Sequence, residues 1–378
     1  MIKIYFLLIL LICNSCIYKY SNKNEKSTLW KDSITLSFQR EFSIIPDANT
    51  PSDWSNTFAI NTGDSSSILI YNTYTGDFNF FNSNTAKLSK SISTKFKQFD
   101  GISVYNDTIV YVQDYKECTF LKTDLSGIIT DTIEINSISL SKGDFPPSYI
   151  SIFNGVYPIN NHLLHFDTFT AGENDANKRY CGMLFDVRDK SFSYTMFYPP
   201  VYQKANWGGG MYRRGYTCYN SLEKIVFYSF PASHYIYFYD FKTKDINRFY
   251  AGSKFINEIN AFSKDRNMRV MDSESFEHYR TNDNYGAIIY DRYRNLYYRI
   301  AEKANYFSEP QYKYLKQLSI IIFNSKMEIV GEKQFNEPYG TTLLVTPEGV
   351  FIPYLKNIGL DLPMTYHVFK ITPNSDEI

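Results

Sequence analysis

From Ser66 onward, short apolar or aromatic runs alternate with clusters of Asn, Asp, Gly and Ser. Runs of this length, bounded by turn-forming residues, predict β-strands. Ile68–Asn72, Asp77–Asn82 and Leu88–Ser93 make a first group, with Thr75-Gly76-Asp77 as a tight turn. A second holds Ile102–Tyr105, Thr108–Gln113, Thr119–Thr123 and Ile128–Ile135. The third runs through Gly155–Pro158, Leu163–Phe166, Gly182–Asp186 and Ser193–Tyr198. The fourth holds Tyr216–Tyr219, Lys224–Phe230, Tyr235–Phe241 and Asp245–Tyr250, and the fifth Tyr285–Tyr290, Asn295–Ile300, Ser319–Asn324 and Glu328–Phe335. The last has only Thr341–Thr346, Gly349–Pro353 and Tyr366–Ile371.

Ile225–Phe230 and Tyr235–Phe241 are apolar or aromatic at almost every position, so both faces of these strands need cover. Sheets of about four strands recurring every ~40–60 residues, each covered by its neighbours, predict an all-β, six-bladed β-propeller. Two stacked β-sandwiches would use the same number of strands. The first group is one strand short and must hide a weak one. The last lacks one too, and Ser33–Phe42, which alternates apolar with polar residues, is expected to join it and close the ring. That pairing removes two exposed sheet edges. Asn257–Asn284 interrupts the rhythm and carries a predicted short helix over Asp272–Tyr279, with Asp272 or Ser273 as N-cap. Ala301–Lys316 reads as a long loop within the fifth blade.

The first residues follow a different pattern. Lys3 precedes the unbroken apolar run Ile4–Ile12, too short to span a bilayer and typical of a secretory signal. The Cys13-Asn14-Ser15-Cys16 that follows resembles a bacterial lipoprotein box, with Cys16 after the small Ser15 as the lipidated residue. The expected organisation is a signal peptide over 1–15, a lipidated Cys16 with a polar tether to residue 31, and one propeller domain over 32–378. No acidic run follows the cysteine, which favours an outer-membrane lipoprotein facing the periplasm over surface exposure.

Composition narrows the partners. The 39 basic and 39 acidic residues leave no positive surplus for a phosphate backbone, which argues against nucleic acid. Tyr 34 and Phe 30 against Trp 3 agree with strand-rich structure. After Cys16, only Cys118, Cys181 and Cys218 remain, an odd number that gives no disulfide framework. One pair, Cys181 with Cys218, could form in an oxidising envelope, and buried free thiols are the simpler expectation.

Tyr285-Gly286-Ala287-Ile288-Ile289-Tyr290-Asp291-Arg292-Tyr293-Arg294-Asn295-Leu296-Tyr297-Tyr298-Arg299 resembles a segment of a Bacteroidota lipoprotein family, domain of unknown function 4221. Tyr228–Tyr237 and Ile68–Asn72 are similar to that family too. The resemblance implies a propeller and an envelope anchor, and it implies no activity.

Motif chemistry is sparse. The chain has no GxSxG elbow, Walker loop, HExxH or dinucleotide fingerprint. In a strand, His162 and His165 point to opposite faces and hold no metal together, and Asn282-Asp283-Asn284 reads as a turn. No metal or cofactor is expected. The candidate ligand-binding loop is Asn206–Tyr216, where three glycines free the backbone around Trp207, Tyr212, Arg213, Arg214 and Tyr216. Arginine can fork onto a carboxylate or phosphate, and the rings can stack on a sugar. Glu173, Asp175, Glu274 and Glu277 read as solvated loop charges. The expected function is a lipid-anchored, monomeric binding or scaffold module for a protein, peptide or glycan. The alternative is a propeller hydrolase or lyase acting on an envelope or dietary glycan or a small ester.

Overall fold

Strand runs joined by short turns pair as antiparallel neighbours, so each sequence group closes on itself as one sheet. In a computed structural model describing residues 20–25, 30–45, 54–62, 65–94, 99–114, 116–135, 147–168, 180–266, 268, 270–356 and 363–374, six four-stranded sheets form. Cys16, the expected signal peptide, Glu173 and Asp175 lie outside the described residues.

Strands A to D run from the centre outward. The first blade is Thr57–Thr62, Ser65–Asn72, Asp77–Asn82 and Leu88–Ser93; its strand A is the weak one that the pattern hides. The second is Gly101–Tyr105, Ile109–Asp114, Thr119–Asp124 and Ile129–Glu134, and the third Tyr157–Pro158, Leu163–Asp167, Tyr180–Asp186 and Ser191–Phe197. The fourth is Tyr216–Asn220, Ile225–Ser229, Tyr235–Asp240 and Ile246–Tyr250, and the fifth Asn284–Asp291, Leu296–Lys303, Gln317–Asn324 and Ile329–Gln334. The sixth takes Leu344–Val345, Val350–Pro353 and Met364–Pro373 from the end of the chain, and its strand D is Ile34–Ile44 from the beginning. That ladder runs from Ile34 opposite Pro373 to Ile44 opposite Met364, the closure expected from Ser33–Phe42.

The burial pattern follows from blade stacking. Ile225–Ser229 and Gln317–Asn324 are buried on both faces, whereas Leu88–Ser93 and Ile129–Glu134 at the rim are mostly exposed. Each apolar core is shared by neighbouring blades. Phe58 and Ile102 join the first to the second, and Phe120 and Phe166 the second to the third. Met196 and Tyr228 link the third to the fourth, Phe227 and Tyr297 the fourth to the fifth. Ile320 and Val350 link the fifth to the sixth, and Phe42 and Ile68 bring the sixth back to the first. Such sharing closes a circle, which two stacked sandwiches do not.

One device repeats. Strand C of the first five blades ends on Asn82, Asp124, Asp186, Asp240 or Asn324, whose Oδ1 accepts the backbone N–H two residues on at 2.7–3.0 Å. A short carboxylate or amide side chain at that point caps the C–D turn in each of these five blades.

Two local expectations change. The helix is Asp272–Thr281 with Met271 as N-cap, whose N–H donates to Glu274 at 3.2 Å, because the Glu three residues on supplies the capping acceptor. Residues 20–25, expected within a free tether, are docked on the ring. Ser21–Lys23 pairs antiparallel with Glu258–Asn260, and Asn22 Nδ2 donates to Ala232 O at 2.8 Å. Asn24 Nδ2 donates to Ser253 O and Ile256 O at 2.7 and 2.6 Å. Short amide side chains find buried carbonyls there, which a composition-based tether reading does not register.

Candidate functional site

Because strands alternate in direction, D-to-A and B–C connections emerge on one face of the ring, and A–B and C–D turns on the other. The inner strands enclose a central chamber of about 510 Å³ that draws lining residues from all six blades. Its mouth lies at A–B turns, where Asn106, Leu222 and Tyr293 are exposed. Tyr105, Tyr157, Tyr219, Tyr290 and Tyr293 supply most of its aromatic surface. Tyr219 stands between Tyr105 and Tyr157, at ring distances of 6.5 and 5.6 Å. Burial pushes all five phenols up, Tyr219 to about 12, so each stays neutral and keeps its donor proton.

Across the mouth, Arg292 of the fifth blade pairs with Asp107 of the second, the blade opposite in a six-membered ring. Its Nη2 also meets Tyr293 OH at 2.9 Å, and Asn61 Nδ2 donates to the same hydroxyl. Burial pushes the Asp107 carboxyl up, against the pull of Arg292. The pair makes the mouth electrically neutral while offering a fixed acceptor beside a fixed donor fork. Tyrosine faces, phenol protons and a neutral ion pair can together grip a polar, uncharged molecule with apolar C–H faces.

The loop singled out in the sequence sits on the opposite face. Trp207 and Tyr212 are each 1% exposed, and Arg213 and Tyr216 are buried too. Trp207 Nε1 donates to Val201 O at 3.0 Å, Tyr212 OH donates to Asp283 O at 2.8 Å, and Arg213 O accepts from Tyr198 OH at 2.8 Å. Gly208, at φ +77°, turns its N–H onto Asn206 Oδ1 at 2.9 Å, a left-handed backbone that favours glycine. Gly209 N donates to Ser275 Oγ at 2.7 Å, which fastens the loop to the helix. Arg214 lies 5.7 and 5.8 Å over the rings of Phe153 and Tyr216. What the loop turns outward is Met211.

Other candidates resolve plainly. His162 lies 3.8 Å from Asp186, and His165 is fully buried with Nε2 2.6 Å from Tyr228 OH. Among the described residues no group of three His, Cys, Asp or Glu could hold a metal ion, and Cys118, Cys181 and Cys218 are buried free thiols. Glu274 pairs with Lys264 at 2.7 Å, and Glu277 with Arg280. Asn284 is not a turn residue but a fully buried strand start, donating to Glu302 Oε2 at 2.8 Å.

Sequence reasoning missed Asp167, which is buried with Oδ2 2.7 Å from Ser148 Oγ and 3.2 Å from Asn154 Nδ2. Burial pushes its carboxyl up to about 7 and pushes His165 down to about 3. The two act in opposite senses. As pH falls from 6.5 toward 3, unfolded chains bind a proton that folded His165 refuses, so stability is lost. As pH rises from 3.8 toward 7, unfolded chains release a proton that Asp167 keeps, so stability is again lost. Asp167→Asn removes the second effect alone. Relative to the parent, the variant gains on the order of 3 kcal/mol between pH 4 and pH 8. Denaturant unfolding across that range checks it, and parallel pH curves would contradict the assignment.

With the chamber described, the family can be placed. A model of domain of unknown function 4221 matches residues 28–334. The chain belongs to that family. A crystal structure of a DUF4221 member from Bacteroides vulgatus ATCC 8482 shares the fold with a TM-score of 0.74 at 19% identity, covering 91% of this chain and 100% of that one. A putative exported protein from Bacteroides fragilis NCTC 9343 aligns with a TM-score of 0.51 at 9% identity, covering 94% of this chain and 98% of that one. No curated protein matches. At these identities the likeness is one of fold, so the DUF4221 chamber is interpreted from its own residues.

Proposed function

We propose that this DUF4221 propeller is a binding module, held to the cell envelope as an outer-membrane lipoprotein by a lipid on Cys16 and facing the periplasm. Its ligand is a neutral glycan received in the central chamber. The observation that carries this reading is the chamber wall: tyrosines from the second to fifth blades converge around one neutralised Asp107–Arg292 pair. A sugar ring lays its C–H face on a phenol ring, while its hydroxyls use the carboxylate, the guanidinium and the phenol protons. A charged ligand would have to break the ion pair first.

Titration calorimetry of the detergent-solubilised full chain against soluble neutral oligosaccharides tests this. Saturable binding is expected, with Arg292→Ala or Tyr293→Ala weakening it tenfold or more, about 1.4 kcal/mol. Absence of binding across the panel, or binding indifferent to both substitutions, would sink the glycan reading. Steady cleavage of the bound sugar would move the assignment to the hydrolase or lyase alternative.

A further inference from the structure

The D-to-A connections flanking the fourth blade build a lobe on the face opposite the chamber mouth. Asn206 Nδ2 donates to Asp265 O and Met268 O at 2.9 and 2.8 Å, and Phe262 N donates to Asn206 O at 2.7 Å. Tyr212 packs on His278 and Tyr279, 5.2 and 5.7 Å between ring centres. Every exposed methionine among the described residues belongs to this lobe: Met211, Met268 and Met271, the last 64% exposed. Phe276, 56% exposed, lies on the helix directly after Ser275, which holds Gly209. The helix's Glu274 and Glu277 are each paired with a cation, and Asp272 is its other acidic residue.

The docked N-terminal segment ends on the same lobe. Tyr20 meets the Trp207 ring edge-on at 6.1 Å, and its carbonyl accepts from Ala261 N at 2.9 Å. Tyr20 follows Cys16 by four residues, and four residues reach at most ~14 Å even fully extended. A headgroup region is ~5–8 Å deep on each side of the bilayer, so this reach keeps Tyr20 within about 10 Å of its outer surface.

We infer that the exposed Met211, Met268, Met271 and Phe276 of this lobe rest in the surface of the lipid bilayer that holds Cys16. The inference rests on the lipid-anchor reading above and extends it to an orientation. Methionine and phenylalanine lose water at the acyl boundary, and the unbranched thioethers adapt to its irregular packing. With the lobe on the bilayer, the chamber mouth opens away from it. The glycan site then faces the compartment, and the anchor acts as a short strap that fixes the ring.

The test uses the full acylated protein in vesicles of phosphatidylethanolamine and phosphatidylglycerol with brominated acyl chains. A thiol-reactive fluorophore is placed on Phe276→Cys or, at a C–D turn of the other face, on Lys242→Cys; the buried native thiols make the unsubstituted parent the labelling control. Quenching of the Phe276→Cys label several-fold above that of the Lys242→Cys label is the expected result. Mass spectrometry of the N-terminal peptide reports acylation in the same sample. Acylated protein with equal quenching at both positions overturns the orientation and leaves the anchor standing. An unacylated Cys16 overturns both.

Discussion

Arg299→Ala lowers the stability of the ring by about 3–5 kcal/mol, measured by denaturant unfolding. The guanidinium is fully buried. Its Nε donates to Ser229 Oγ at 3.0 Å, Nη1 to Ala251 O at 2.8 Å and Nη2 to Ser233 O at 2.6 Å. It also stacks 3.7 Å over the Tyr285 ring. Burial pulls its pKa down to about 10, still far above neutral, so the group stays charged and is held by carbonyl dipoles. Removing it strands those carbonyls in a dry core at about 1–3 kcal/mol each and opens a cavity, partly offset by relaxation. Arg299→Lys restores only part of the loss, since one ammonium cannot span a planar fork of acceptors. A loss below about 1 kcal/mol for the alanine variant would show that the fork does not hold the fourth blade to the fifth.

Deleting residues 30–45 abolishes cooperative folding. Ile34–Ile44 is strand D of the last blade, and Leu36, Phe42 and Ile44 are all buried. Phe42 sits edge-on to Phe351 at 5.4 Å, and Arg40 forks onto Glu348 at 2.8 and 2.7 Å. Burying three such side chains contributes about 5–9 kcal/mol, comparable with the whole stability of a domain at about 5–15 kcal/mol. The deletion also bares the edge of Met364–Pro373, a template for intermolecular pairing. The shortened chain is expected to aggregate, and Phe42→Ala, a milder change, to lose about 3–5 kcal/mol. A shortened chain that stays soluble and unfolds cooperatively at the parent's midpoint would contradict the closure as the source of stability.

Much of the ring was legible because a blade is a local object. Its strands pair with sequence neighbours, so apolar runs and Asn or Asp turns report it directly, as at Asp240 and Asn324. Thr57–Thr62 escaped notice because its Thr57-Phe58-Ala59-Ile60-Asn61-Thr62 is brief and lacks the aromatic density of its neighbours. Arg299 carried one signal in hindsight: a lone arginine within Tyr297-Tyr298-Arg299-Ile300, a strand otherwise covered on both faces. The burial of the aromatic loop around Trp207 was not legible for a related reason. Large rings and glycines describe a well-packed lobe as readily as an exposed site, and only burial distinguishes them.

By itself, the order of residues determined the strands, their grouping by fours, and the need for the chain's front to complete its last sheet. These follow from hydrophobic period and turn chemistry, which act between near neighbours. Tertiary structure alone decided the chamber, because Asp107 and Arg292 stand 185 positions apart and meet only when opposite blades face one channel. It alone decided that residues 20–25 are docked on the ring through Ser21–Lys23 and Glu258–Asn260. Closing a circle converts a repeat written along the chain into contacts across it, and no local pattern records which residues will share its centre.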